Sequence, residues 1–412
     1  MVLFSDIEVA YRLQQSYLKL SPNIVERDYL RQIQLSVSHI EVISGIRRCG
    51  KSTLLKQLAQ KYNHNIAYFN FEDTRILGFE VSDFQKLERV MPPNAAAYFF
   101  DEIQNIPSWE VFIRQLHDQG KKVFITGSNA SLLSKDLGTR LTGRHLCHEL
   151  FPFSFLEFLA FQKMTPNKEA MDLYIQHGGF PEYLSSQNPE ILQTLLKDIV
   201  LRDVAIRYSI KNTKALMDIT LFLISNIGKE SSYNSLRKAF SIGAANTVSD
   251  YLTWLEDSYV FFFLPRFSWS VKNTTINPRK VYAIDNGFVT ANSLSFSDDR
   301  GRLLENVVYL WLRQRYSQLY YFRDKGECDF VVLEKNKPKM VIQVCEEING
   351  DTQKREIAGL MEAMKFLNLE EGIIITKNQE DQLIIDNHKI VLIPISTFLS
   401  TPNSTETSLP LS

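Results

Sequence analysis

Cysteine is scarce in this chain of 412 residues: Cys49, Cys147, Cys328 and Cys345 are widely scattered, and none belongs to a C-x-x-C pair. That argues against a disulfide framework and against a zinc site. An excess of charge of either sign is lacking too. The 46 Lys and Arg residues against 47 Asp and Glu leave a formal net charge of −1, so no global field draws the molecule onto nucleic acid or a membrane surface. Long apolar runs are missing: stretches such as Tyr259–Leu264 are far too short to span a bilayer. The start, Met1-Val2-Leu3-Phe4-Ser5-Asp6, has no basic segment followed by an apolar core and does not read as a signal peptide. The expectation is a reducing cytoplasm and no membrane partner. What is present is a hydrophobic content of 44%, enough for cores in about two to four domains.

Residues 45–52, Gly-Ile-Arg-Arg-Cys-Gly-Lys-Ser, form a complete G-x-x-x-x-G-K-[ST] phosphate loop. The apolar run Ile40-Glu41-Val42-Ile43 precedes it and a helix-forming run, Thr53-Leu54-Leu55-Lys56-Gln57-Leu58, follows. A strand, a glycine turn and a helix start aim backbone N–H groups and a positive helix end at one point. Gly45 and Gly50 let the backbone curl round phosphate oxygens, Lys51 supplies a mobile cation, and Ser52 offers a hydroxyl to Mg²⁺. The nucleotide contacts are assigned to Gly45, Ile46, Arg47, Arg48, Cys49, Gly50, Lys51, Ser52 and Thr53. Arg47 and Arg48 occupy positions that tolerate most residues. Cys49 reads as a small bland residue, with an oxidisable thiol as the alternative.

Further strands are expected at Ile40–Ser44, Ile66–Phe71, Ala96–Phe100, Lys122–Thr126 and Leu146–Leu150, separated by helices, which points to a parallel sheet covered on both faces. Residues 1–36 read as a helical N-terminal segment, with the helix over 7–36. The core spans 37–155, a mostly helical stretch 156–215, and three helices with an aromatic strand pair (Tyr259–Leu264) 216–270. Strands return over 271–399, and the Ser/Thr/Pro-rich tail 400–412 is expected to be disordered.

The run Ala95–Phe100 ends in Asp101-Glu102. In phosphate-loop ATPases an acid at such a strand tip holds Mg²⁺, and a second acid can orient and deprotonate the attacking water; Asp101 and Glu102 divide those tasks. The strand Lys122–Thr126 leads to Gly127-Ser128-Asn129, where Asn129 (or, second, Ser128) is a candidate γ-phosphate sensor, with an ordinary Asn-capped turn as the alternative. Arg140 and Arg144 are candidates for a cation at the γ-phosphate, in cis or across a subunit contact, with solvated surface Arg as the competing reading for each.

Together with Gly143-Arg144, Leu150–Phe158, Gly178-Gly179-Phe180-Pro181-Glu182 and Lys197–Arg207, these motifs resemble the bacterial and archaeal AAA-like ATPases that carry a C-terminal domain of unknown function. The resemblance covers nearly the whole chain. It implies an α/β fold whose P-loop NTPase core is of the additional-strand type, with Asp101 and Glu102 on a strand not adjacent to the phosphate-loop strand. It also implies a helical lid (156–215), a winged helix (216–270) and a domain resembling restriction endonucleases (271–399).

Within the winged-helix segment, Ser232–Phe240 and Ala244–Leu255 read as the second and third helices. From Gly243 to Ser258 there is no Lys or Arg, while Asp250, Glu256 and Asp257 are acidic, so the third helix is poorly equipped for phosphate contact. In the last domain Asp329 and the helix acid Glu305 fit a nuclease's metal-binding acids. The E-x-K slot holds Gln343 and Cys345, so no nuclease activity is expected unless a register shift brings in Glu346 or Glu347. The leading reading is a Mg²⁺-dependent ATPase acting as a nucleotide-driven switch or motor. Its alternatives are an ATP-dependent DNA-remodelling protein and a non-hydrolysing nucleotide-sensing scaffold. Candidate partners are ATP, DNA, another protein or a second copy of the chain.

Overall fold

A computed structural model describes residues 1–18, 24–31, 33, 39–62, 65–128, 141, 143–294, 299–350 and 353–400. The expected disordered tail therefore lies almost entirely outside the described residues. The chain divides into two compact units, Met1–Pro152 with Asp257–Tyr259, and Phe153–Glu256 with Val260–Ser412.

The first unit is built on five strands: β1 (Ile40–Ser44), β2 (Ile66–Asn70), β3 (Ala97–Asp101), β4 (Val123–Gly127) and β5 (His145–Glu149). All pairings are parallel and the order is β2-β3-β4-β1-β5. Each of β1, β3 and β4 is buried along its whole length, the pattern of strands covered on both faces. Side chains alternate between the faces. Phe99 stacks on Phe124 at 4.7 Å beside Tyr62, whereas its neighbour Phe100 points the other way, towards Phe112, which stacks on Phe84 at 4.2 Å. The helix Lys51–Gln60 packs on β3 and β4.

The N-terminal segment is not one helix over 7–36. The helix runs Phe4–Ser16, and a short 3₁₀ turn follows at Asp28–Arg31. A continuous helix would carry Pro22 in its interior, at a cost of about 3 kcal/mol. The shorter helix covers the outer edge of the sheet. Gln14 both donates to Asn70 O (3.1 Å) and accepts from Asn70 N (2.8 Å), and Gln15 donates to Tyr68 O. These amides satisfy an edge that would otherwise invite another strand.

The second unit begins with helices at Phe155–Gln162, Lys168–His177, Pro181–Ser186 and Glu190–Asp198, followed by a π-helix at Ile199–Ile206. The Gly178-Gly179 pair meets Asp285: a Cβ on Gly178 would fall 2.1 Å from Asp285 Oδ1, and Gly179 N donates to Asp285 Oδ2 at 2.6 Å. Burial pushes the Asp285 carboxyl up to about 7.

Helices Thr213–Ile224, Tyr233–Ala239 and Ala245–Asp257 accompany a three-stranded antiparallel sheet of β6 (Glu230–Ser231), β7 (Phe261–Pro265) and β8 (Arg279–Ala283), ordered β6-β8-β7. Two expectations change here. Tyr259–Leu264 is not a strand pair but the neighbourhood of one strand, β7. Its partner β8 lies beyond residue 270, after a short helix at Val271–Ile276. The sequence hid the pairing because thirteen residues without strand pattern separate β7 from β8.

The remaining sheet has six strands: β9 (Gln318–Arg323), β10 (Glu327–Glu334), β11 (Lys337–Val344), β12 (Glu371–Thr376), β13 (Asp381–Ile385) and β14 (His388–Pro394), ordered β13-β14-β12-β11-β10-β9. The parallel pair β11–β12 needs a crossover, supplied by the helix Gln353–Leu367, which packs on β10 and β11. No helix among the described residues is long and apolar enough to cross a membrane.

Candidate functional site

The phosphate loop leaves β1 at Ser44 and turns into the helix Lys51–Gln60. Gly45 cannot be replaced, since a Cβ there would lie 2.1 Å from Leu150 O, and Gly50 has φ 103°, a conformation that side chains resist. Arg27 lies under the loop, buried, donating to Cys49 O and to Phe151 O, each at 2.7 Å. Its backbone N donates to Gln57 Oε1 on the helix that follows. Nothing in the sequence marks Arg27, which sits in a segment read only as helix. Cys49 is fully buried, and burial raises its thiol pKa, which favours the reading of a small packed residue over an oxidisable one.

Because β4 lies between β1 and β3, the tip of β3 faces the loop across one intervening strand, as the additional-strand arrangement requires. Lys51 Nζ donates to Gly45 O and Ile46 O, both at 3.1 Å, and stands 3.6 Å from Glu102 Oε1. Asp101 is fully buried and accepts from the hydroxyls of Thr126, Ser52 and Tyr68, the last at 3.1 Å. Burial, and then the Glu102 charge, hold its carboxyl above the usual range in spite of those donors. The Thr126 hydroxyl in turn accepts from Glu102 N at 2.9 Å. Glu102 takes the left-handed conformation, φ 52°, rare for a residue with a Cβ, and its carboxylate accepts from Gln104. Gln104 also reaches Ser128 at 3.5 Å.

A third acid joins the pair. Glu72, just past the end of β2, makes an ion pair with Arg47 of the loop at 3.1 Å. Burial, followed by the charges of Glu102 and Asp101, raises its carboxyl, while Arg47 and Lys51 oppose. The sequence held a usable signal: Glu72-Asp73 ends one apolar strand as Asp101-Glu102 ends another.

Lys51, Ser52, Asp101 and Glu102 thus come together. Asn129 and Arg140 lie outside the described residues. Arg144 is not near the loop. The register pairs Ile40 with His145 and Ser44 with Glu149, so Arg144 precedes β5 at the opposite end of the sheet, about 16 Å of strand away. There its guanidinium pairs with Asp118 at 3.2 Å.

The donor set suits Mg²⁺. A buried carboxylate held by hydroxyls and still short of positive charge, hydrogen-bonded to Ser52, is what a hard cation needs from protein when phosphate and water complete its shell. Among the described residues no cluster of three or more His, Cys, Asp or Glu is arranged to hold a metal by itself.

The second unit holds another acidic cluster. Glu305 and Asp329 meet at Lys280 of β8, whose Nζ lies 3.1 Å from Glu305, 2.8 Å from Asp329 and 2.7 Å from Glu327. Lys280 is 2% exposed, and the surrounding acids hold its pKa well above the ordinary value against the opposing effect of burial. Tyr282 donates to Glu305 at 2.6 Å. Gln343 stands beside Asp329, accepting from its N–H at 3.2 Å and donating to Glu356 at 2.6 Å. Cys345 is buried, its thiol pushed up to about 12 by burial and the nearby acids Glu356 and Asp329. Glu346 and Glu347 are exposed. Lys280 was not anticipated, because it arrives from a strand that the sequence left unassigned.

The AAA domain family matches residues 37–159, and two families each described as a domain of unknown function (DUF8612 and DUF4143) match residues 168–300 and 300–398. An uncharacterized protein of Methanocaldococcus jannaschii is 34% identical over 426 residues, covering 95% of this chain and 93% of the relative. An uncharacterized protein of Haemophilus influenzae is 31% identical over 398 residues, covering 90% and 97%. Among solved structures, AMPPCP-bound DnaA from Aquifex aeolicus matches with TM-score 0.30 and 15% identity over 62% of this chain and 89% of that one. The Thermotoga maritima RuvB Holliday junction branch migration motor matches with TM-score 0.33 and 16% identity over 58% and 90%. Likeness at that level carries no functional argument.

Proposed function

This chain belongs to the family of P-loop ATPase proteins in which an AAA domain precedes two C-terminal domains of unknown function, and from there we propose that it is a Mg²⁺-dependent ATP hydrolase acting as a nucleotide-driven switch or motor. The observation that carries the reading is the convergence of two distant motifs: Ser52 bonded to Asp101, and Lys51 3.6 Å from Glu102.

The loop N–H groups and Lys51 bind and orient the phosphates. Ser52 and Asp101 would hold Mg²⁺, which would supply neutralising charge to the phosphate oxygens. Glu102 accepts a proton from the attacking water as the water oxygen bonds to the γ-phosphorus. The bond to the bridging oxygen breaks with its electron pair, leaving ADP and inorganic phosphate. Asp101, fully buried and taken up by three hydroxyls, is the anchor for the cation; Glu102, beside Lys51, is the base.

Residues 213–283 run helix, strand, helix, helix, strand, short helix, strand, the order of a winged helix with one added helix between its last two strands, and we read them as one. Its third helix, Ala245–Asp257, contains no Lys or Arg, so a protein contact suits it better than a DNA groove. The C-terminal domain is read as nuclease-like and inactive, because the acids that would collect a metal are taken up by Lys280.

The test is phosphate release by the purified full chain, with and without DNA, against Glu102→Gln. The variant should keep ATP binding and lose turnover. Release at the wild-type rate would remove Glu102 from its role, and release strongly stimulated by DNA would favour the remodelling alternative.

A further inference from the structure

Arg144 lies at the far end of the sheet from the phosphate loop, whereas the ion pair between Arg47 and Glu72 stands at the loop itself. Arg47 belongs to the loop after β1, and Glu72 follows β2, which lies three strands away in the order β2-β3-β4-β1, about 14 Å across the sheet. Their contact at 3.1 Å must therefore arch over the ends of β3 and β4, where Asp101, Glu102 and Ser128 stand. An ion pair in that position crosses the mouth of the cleft into which Lys51 and Glu102 face.

Glu72 is well anchored for this. Its N–H donates to Asn70 Oδ1 at 2.8 Å, and Asn70 is held by Gln14 of the N-terminal helix. Arg47 is a long side chain, about one-third exposed, on a loop already carrying a left-handed Arg48 at φ 64°. Glu72 is thus held at its backbone, and both side chains of the pair are partly exposed.

We propose that Arg47 is the chain's own cation for the terminal phosphate of ATP, and that Glu72 positions it over the cleft. This rests on the ATPase reading above. A planar guanidinium suits the spread charge of a transferring phosphoryl group better than a second ammonium would. Arg47 is a catalytic residue in this scheme and Glu72 a positioning residue.

The experiment uses the full chain with ATP, ADP and Mg²⁺, measuring turnover and the two dissociation constants. Arg47→Ala should lower kcat by about 10³-fold, the lower end for an arginine acting on a phosphoryl group, and should erase any preference for ATP over ADP while ADP binding stays within a few-fold. Arg47→Lys should recover part of kcat. Glu72→Gln should lower kcat about tenfold, and the double variant Arg47→Ala/Glu72→Gln should be no slower than Arg47→Ala alone, since the carboxylate acts through the guanidinium. A wild-type kcat in Arg47→Ala, equal losses of ATP and ADP affinity, or additive losses in the double variant would each overturn the proposal. Should the wild-type chain release no phosphate, the hydrolase reading falls, and the ATP/ADP preference still decides whether Arg47 meets the terminal phosphate.

Discussion

Two regions of this molecule set a buried lysine among acids, and they differ in how completely the lysine is satisfied. An ammonium has three protons to donate. In the first unit, Lys51 gives two of its contacts to neutral carbonyls of its own loop and stands at a loose 3.6 Å from Glu102. A phosphate oxygen can displace such partners. In the second unit, Lys280 meets three carboxylates at 2.7–3.1 Å, and nothing is left to offer a ligand. Asp101 in the first cluster is held by hydroxyls, whereas the acids of the second are paired with an ammonium. A row of carboxylates at strand ends is thus no evidence of a metal site until the location of the nearest lysine is known.

The largest effect expected is on turnover. Glu102→Gln removes the base and should lower kcat by roughly 10²–10⁴-fold in a phosphate-release assay, with ATP still bound. Lys51→Ala comes next. It should weaken ATP binding by roughly 10²-fold by titration, and because its partners are carbonyls, thermal unfolding should change little. Lys280→Met should do the reverse. Removing one member of a buried charged cluster should cost about 3–5 kcal/mol of stability in a denaturant melt while ATP affinity per folded molecule is kept. Adding Glu305→Gln and Asp329→Asn to Lys280→Met should restore much of that loss, and a triple variant as unstable as the single one would break the comparison. If Lys280→Met instead unfolds no more readily than Lys51→Ala, the two lysines are equivalent and the contrast fails.

The smallest effect is a pH slope. Burial, and then Asp329, raise the Glu305 carboxyl from 4.5 to about 7, with Lys280 opposing. Between those values the native state holds a proton that the unfolded chain has lost, so stability falls as pH rises through that window and is level above it. Glu305→Gln should flatten that stretch of the stability curve by at most about 3 kcal/mol. An unchanged slope in the variant would assign the titration to another group.

The phosphate loop and the Asp101-Glu102 pair were legible because each is a contiguous motif bounded by its own strand and helix. The five core strands were legible for a related reason: strands buried on both faces are continuous apolar runs, and Ile40–Ser44 is both the expected strand and the observed one. What failed to show were residues whose role depends on arrival from elsewhere. Arg27 supports the loop from 22 residues upstream of its partner Cys49. Lys280 reaches Asp329 across 49 residues from a strand that no motif marked. Arg144, by contrast, was attractive in sequence because it follows the strand of the sensor. A parallel sheet returns every strand to the same starting end, and that carried Arg144 away from the loop.

The sequence by itself determined that a nucleotide-type loop exists, that it sits between a strand and a helix, and that two acids end another strand, because those facts reside in local backbone preference and side-chain period. Only the tertiary structure decided which acids share a cleft with which cations. Strand order and side-chain reach bring Glu72 over Asp101 and place Lys280 among Glu305, Glu327 and Asp329, and such distances are set by packing between segments that carry no record of each other along the chain.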